Sequence, residues 1–139
     1  MTPAPRLAAL LDEFFAWFYR AQPVSATFIG VHDHDHRLPD WSASGREEAR
    51  AVIADLRRRF ARLPDEPATV DEEGDRHLAA AALEVLEWEA SAPHFTRNPS
   101  VVVGEAVFGV IALLLRPFAP LAARAEAAVA RMAALPTFL

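Results

Sequence analysis

Apolar residues recur at helical spacing along most of the chain. Leu7, Leu10, Leu11, Phe14, Trp17, Phe18 and Ala21 form one stripe. They predict a helix from about Pro3 to Ala21, with Thr2 as N-cap and Pro3 at the first helical position, where a missing N–H costs nothing. Pro23 breaks the run, and a short helix from about Val24 to Val31 follows, with Gly30 near its end, where a left-handed residue is tolerated. His32 to Trp41 is charged, contains Pro39 and has no period, so it reads as a loop. Ala49, Val52, Ile53, Leu56, Phe60 and Leu63 then predict a helix from about Gly45 to Leu63, closed by Pro64 and Pro67. Ser44 and Glu47 have capping-box spacing at its start, and Asp55 can reach Arg58 or Arg59.

Thr69 and Glu72 repeat the capping-box spacing before a third long helix, about Glu72 to Ser91, whose stripe is Leu78, Ala79, Ala82, Leu83, Val85, Leu86 and Ala90. Pro93 ends it. Asn98 and Pro99 then make a natural N-cap and first position. The segment they open, Val101 to Leu115, is apolar throughout except for Glu105 and two glycines. Taken alone it is compatible with a buried helix, a pair of strands or a membrane span. It is too long for a usual strand and short of the roughly 20 apolar residues that span a bilayer, so a buried helix is expected. Arg116 to Pro120 is a turn between two prolines, and Leu121 to Leu135 is an alanine-rich final helix. The expected fold is all-α: about six helices in an irregular antiparallel bundle, with residues 1–139 forming a single helical region that is an incomplete part of a larger helical protein.

Composition narrows the chemistry. The 139 residues include no cysteine, which removes disulfide scaffolds, thiolate zinc sites and cysteine nucleophiles. All 14 basic residues are arginine, so Schiff-base and phosphate-loop lysine chemistry is absent too. A net charge of −5 argues against a general nucleic-acid binder, and 53% hydrophobic residues argue against disorder. Asp12 and Glu13 interrupt the first apolar stretch, so no secretory signal is expected and cytoplasmic location is the default expectation.

The most conspicuous chemistry is His32-Asp33-His34-Asp35-His36. In an extended loop its imidazoles would share one side, opposite the two carboxylates, and three neutral imidazoles can hold a divalent metal. Five consecutive residues rarely converge three ligands on one point, so a solvated loop is expected. His77 and His94 have no ligand-type partner at helical spacing, and no His-Glu-x-x-His sequence exists. Glu84, Glu87 and Glu89 read as a solvated helical face, as does the basic patch Arg57, Arg58, Arg59 and Arg62, which Asp55, Asp65 and Glu66 dilute. No serine sits in an elbow-like context, and there is no glycine-rich phosphate loop. Glu105 stands apart because its surroundings are apolar: either a buried, proton-holding carboxyl or, as we expect, an early-turn glutamate helped by the helix dipole or paired with an arginine.

Pro23, Ala26-Thr27, Gly30, His32, Asp35, Arg37-Leu38 and Asp40 resemble the N-terminal signature of the bacterial domain of unknown function 885 family. The likeness continues in order through Asp75, Leu78, Asn98-Pro99, the Arg116-to-Pro120 turn, Arg124, Arg131 and Pro136 to Leu139. The resemblance implies a long, mostly helical, zincin-like metallopeptidase whose zinc is held by a His-Glu-x-x-x-x-His-type segment far downstream, before which this chain stops. It therefore implies no metal ligand, cofactor or general base here, and no activity for this chain alone. It places His32, Asp35, Arg37 and Asp40 in a motif of structural or cleft-lining role, and it leaves His34 and His36 outside that motif. From chemistry alone, Arg37 could form a bidentate pair with Asp35 or Asp40, and His32 could cap the preceding helix.

The expected role is thus the N-terminal helical scaffold of a metallopeptidase-like hydrolase. Two rivals are a free-standing helical interaction module and a small metal-binding bundle using the His32–His36 loop. The expected partner is the rest of the parent polypeptide, or a second copy meeting Val101–Leu115 and the apolar C-terminus, with no nucleic acid and no membrane involved.

Overall fold

A computed structural model describes residues 4–63, 69–91 and 96–139. These residues form six helices: α1 (Ala4–Ala21), α2 (Pro23–Ile29), α3 (Ala43–Ala61), α4 (Val70–Ser91), α5 (Pro99–Leu115) and α6 (Leu121–Phe138). The described residues include no strand, and none of their helices is long and apolar enough to cross a membrane. The fold is all-α. The expectations for Thr2, Pro3, Pro64, Asp65, Glu66, Pro67, Pro93 and His94 lie outside the described residues.

The chain forms two compact units. One contains α1 as far as Trp17 together with α3 and α4; the other contains the end of α1, α2, the loop to Trp41, α5 and α6. In the first unit, Leu7, Leu10, Phe14 and Trp17 of α1 are buried, as are Ile53, Leu56 and Phe60 of α3 and Ala79 and Leu83 of α4. These are the helical stripes of the sequence, with one correction on α4. Leu78 and Val85 stand in solvent, because the buried line runs through Ala79 and Leu83 and a neighbouring helix covers only that width. Around this core, Arg57 pairs with Glu87, Arg58 with Asp55, and Arg59 with both Asp55 and Glu13. Arg57, Arg58 and Arg59 are therefore solvated and ion-paired, one of them to an α4 carboxylate, with small energetic weight per pair.

Local chemistry sets the helix ends. Thr69 and Glu72 form the expected capping box: the Glu72 carboxylate accepts from the Thr69 N–H at 2.8 Å, and the Thr69 hydroxyl accepts from the Glu72 N–H at 3.2 Å. Asn98 caps α5 by accepting from the Ser100 N–H at 3.0 Å. For α3 the cap is Ser42 rather than Ser44. Ser42 has the extended backbone that an N-cap requires, and its hydroxyl accepts from the Gly45 N–H at 3.1 Å. Helix α6 runs three residues past the expected Leu135, through Pro136 to Phe138.

In the second unit α5 packs against α2 and α6. Its buried line is Ala106, Gly109, Ala112 and Leu113, mostly small residues that let the neighbouring backbones come close. A β-carbon added at Gly109 would stand 3.1 Å from side-chain atoms of both Leu38 and Val24. The segment is helical as expected, but it is not buried all round: Val103, Val107, Phe108, Ile111, Leu114 and Leu115 are exposed, Leu115 by 62%. Its large side chains face outward because the inner face has room only for small ones.

Helix α2 ends in a Schellman motif. Gly30 has φ +98°, its N–H donates to Thr27 O at 3.2 Å, and the Val31 N–H donates to Ala26 O at 2.8 Å. A β-carbon at Gly30 would meet nothing, so substitution strains the backbone alone. Gly30→Ala should destabilise by about 1 kcal/mol, whereas Gly30→Asn, which tolerates the left-handed region, should recover most of that. Urea unfolding of the two variants measures the difference.

Candidate functional site

The loop after α2 turns twice. The Asp35 N–H donates to His32 O at 3.4 Å and the Arg37 N–H to His34 O at 3.0 Å. This corrects the extended reading of His32 to His36, since side chains in successive turns do not alternate between two sides. Among the described residues no three His, Asp or Glu side chains are grouped so as to hold a metal ion.

What the loop does build is a chain of polar contacts running inward. His32 Nδ1 lies 3.0 Å from Asp35 Oδ2, and the other Asp35 oxygen accepts from the Thr27 hydroxyl at 2.6 Å. Asp35 therefore gives its two oxygens to His32 and Thr27 rather than to Arg37. His32 serves Asp35 rather than the end of α2, which Gly30 already closes. The Thr27 hydroxyl also lies 2.9 Å from Pro23 O, but it has a single proton, and the shorter, charge-assisted contact to Asp35 is the stronger claim on it.

Behind Thr27 stands Arg131 of α6, 0% exposed. Its Nη2 donates to Thr27 Oγ1 at 2.7 Å and to Pro23 O at 3.1 Å, and its Nη1 donates to Gly109 O at 2.5 Å. One side chain thus ties α6 to both α2 and α5. A buried cation demands counter-charge. Burial pulls the Arg131 guanidinium below its ordinary value, while Asp35 and Glu105 pull it back up. Glu105 is displaced in the opposite sense: burial pushes its carboxyl above the usual range and Arg131 opposes that. It lies beyond the first turn of α5, and the charge that favours its ionised form is that of Arg131, the arginine alternative of the sequence reading, rather than the helix terminus. Two atoms of this cluster are buried without a hydrogen-bond partner, Glu105 Oε1 and Arg131 Nε.

A second arginine, Arg124, lies seven residues earlier on α6. Its Nε donates to Ala119 O at 2.9 Å and its Nη1 to Leu113 O and Leu114 O, each at 3.3 Å. It thereby satisfies carbonyls that the end of α5 leaves open. Its guanidinium lies 5.9 Å from the Phe118 ring, and Phe118 stacks on His32 at 3.6 Å with the planes 7° apart. Trp41, at the far end of the loop, packs against Phe138 at 5.1 Å. The loop is thus held at its beginning by Arg131 and Phe118 and at its end by Phe138.

Of the four motif residues, the structure joins His32 to Asp35 directly. Arg37 and Asp40 lie exposed in the same loop. Sequence reasoning did not single out Thr27, Phe118 or Arg131 as the centre of the cluster. The available signal was the helical spacing of Arg124, Ala128 and Arg131, all three buried, which puts two cations on the inward face of α6.

Arg131→Lys keeps the charge but loses the forked geometry, and should destabilise the protein by about 3 kcal/mol in chemical unfolding. Glu105 gives a pH signature. Its folded pKa is raised, so between its unfolded value near 4.5 and its folded value the native state holds the extra proton. Its contribution is therefore complete below 4.5 and lost as pH rises through that window. Glu105→Gln should show no such loss, so its stability relative to the parent protein should grow as pH is raised above 4.5. Unfolding curves at several pH values would show this.

The family model described as Bacterial protein of unknown function (DUF885) matches residues 23–139. No curated protein and no solved structure matches the chain. The matched span begins at Pro23, whose carbonyl Arg131 holds, and includes every residue of the cluster. The chain is a member of the bacterial DUF885 family of unknown function.

Proposed function

We propose that this chain is the N-terminal helical scaffold of a metallopeptidase-like hydrolase, and that its task is to present the His32–Asp40 loop in one fixed shape. The observation that carries this reading is the relay from Arg131 through Thr27 and Asp35 to His32. It anchors an irregular loop to three helices with buried, charge-assisted contacts, and it leaves Arg37 and Asp40 exposed on the outer edge. The family membership supports the reading through the resemblance described above. Catalytic metal and general base belong to the rest of the parent polypeptide. The apolar outer side of α5 is the surface on which that remainder rests.

Three results decide the matter. The reading frame beyond Leu139 should continue into a His-Glu segment, and this chain alone, supplied with zinc, should not hydrolyse peptides. A stop codon with a stable oligomer would favour the interaction module instead, and stoichiometric zinc lost on replacing His34 and His36 would favour the metal-binding bundle. If the relay fixes the loop, trypsin should cleave after Arg37 slowly in the parent chain and roughly tenfold or more faster in Arg131→Lys, since about 1.4 kcal/mol of lost local stability raises the open population tenfold. Equal cleavage rates would sink the scaffold role of Arg131.

A further inference from the structure

Helix α4 carries apolar residues on two faces. Ala79 and Leu83 are buried where α4 packs on α3. At about 100° per residue, Leu78, Ala81, Val85 and Trp88 fall on nearly the opposite side. All four are exposed, Leu78 by 71% and Val85 and Trp88 each by 55%. Gly74 continues the same line towards the start of the helix, and an added β-carbon there would meet nothing within 4 Å. Packing on α3 accounts for Ala79 and Leu83 but not for this second stripe. Its spacing of three, four and three residues is that of helices packed nearly parallel along a shared seam. The seam is too short for a free-standing coiled coil, and suits one helix docking onto a surface already folded.

Charge beside the seam selects the partner. The flanking positions are His77 and Glu84 on one side and Asp75, Ala82 and Glu89 on the other, with three carboxylates and no arginine among them. A second copy laid on the seam sets carboxylate against carboxylate in either direction: Glu84 against Glu89 in a parallel pair, Asp75 against Glu89 in an antiparallel one. Like charges so placed repel. The rest of the parent polypeptide is assigned above to the outer side of α5, in the other unit. We propose that the exposed face of α4 docks an amphipathic helix of another protein, apolar along its seam and carrying arginine or lysine on both flanks. Contact with the apolar stripe supplies affinity, and Asp75, Glu84 and Glu89 choose the partner by charge. The surface stands on α4 alone, whatever role the loop and α5 have.

The test uses two labelled helical peptides about three heptads long, both with leucine along the seam, one with arginine and one with glutamate on the flanks. Fluorescence anisotropy at low salt reads their binding to this chain. The arginine peptide should bind roughly tenfold more tightly than the glutamate peptide. Replacing both flanking glutamates, Glu84→Arg with Glu89→Arg, should reverse that preference. Val85→Asp should abolish binding of the arginine peptide, whereas Val107→Asp, on the exposed side of α5, should leave it unchanged. All four positions are exposed, so the variants keep the fold, which circular dichroism verifies. Equal binding of the two peptides, or loss of binding with Val107→Asp and not with Val85→Asp, would overturn the proposal. So would a dimer in sedimentation that Val85→Asp dissociates, which places a second copy on this face. Exclusion of the arginine peptide by the protein expressed from the whole reading frame would overturn it too, because its own remainder would then cover α4.

Discussion

A guanidinium sealed from water needs acceptors for its donors and compensation for its charge, and few positions in a small helical protein can supply both. Arg131 meets that demand at Nη1 and Nη2 with a helical carbonyl of α5, the first-turn carbonyl of α2 and the hydroxyl of Thr27, with Asp35 and Glu105 as the nearby negative charges. Each of these partners has a second task. Gly109 must lack a side chain for α5 to approach Leu38 and Val24, and Thr27 must hand its proton on to Asp35. Because a buried unpaired cation is so unfavourable, α2, α5, α6 and the loop have to settle together rather than one at a time.

The same close approach explains the outward face of α5. Helices meet closely only across small side chains, so Ala106, Gly109 and Ala112 turn inward with Leu113, and Val103, Val107, Phe108, Ile111, Leu114 and Leu115 are left outside. This leaves an apolar face on the outer side of α5. It accords with the scaffold reading and equally with self-association. The polar relay does not discriminate between them, because it lies on the inner side of the same helix.

Most of the fold was legible in the sequence. The periodic stripes of α1 and α3, the Thr69–Glu72 box and the Asn98-Pro99 start are local features that tertiary packing had no reason to override. Errors arose where two local signals competed. Ser42 and Ser44 are both good caps, and only the backbone angles choose between them. Leu78 and Val85 fit the α4 stripe as well as Leu83 does, until the width of the covered face is known. The site was less legible because its centre, Arg131, lies 104 residues from Thr27 in sequence. No spacing rule connects residues that far apart. The histidines drew notice as possible ligands, yet His32 turns out to be a structural side chain whose ring is taken by Phe118 and whose Nδ1 is taken by Asp35.

That division of labour bears on what the loop can do. A group that works on substrate must be reachable, and Arg131 and Thr27 are not. His32 and Asp35 are partly exposed, but each is committed to a neighbour. Freeing either for chemistry would break the relay that gives the loop its shape. The exposed rim of the loop carries Arg37 and Asp40, and their positions are set by the anchored residues between and beside them: Pro39, which is buried, Leu38 against Gly109, and Trp41 against Phe138. A rigid base with a polar edge is the form of a positioning element. Its buried arginine fixes where that edge lies.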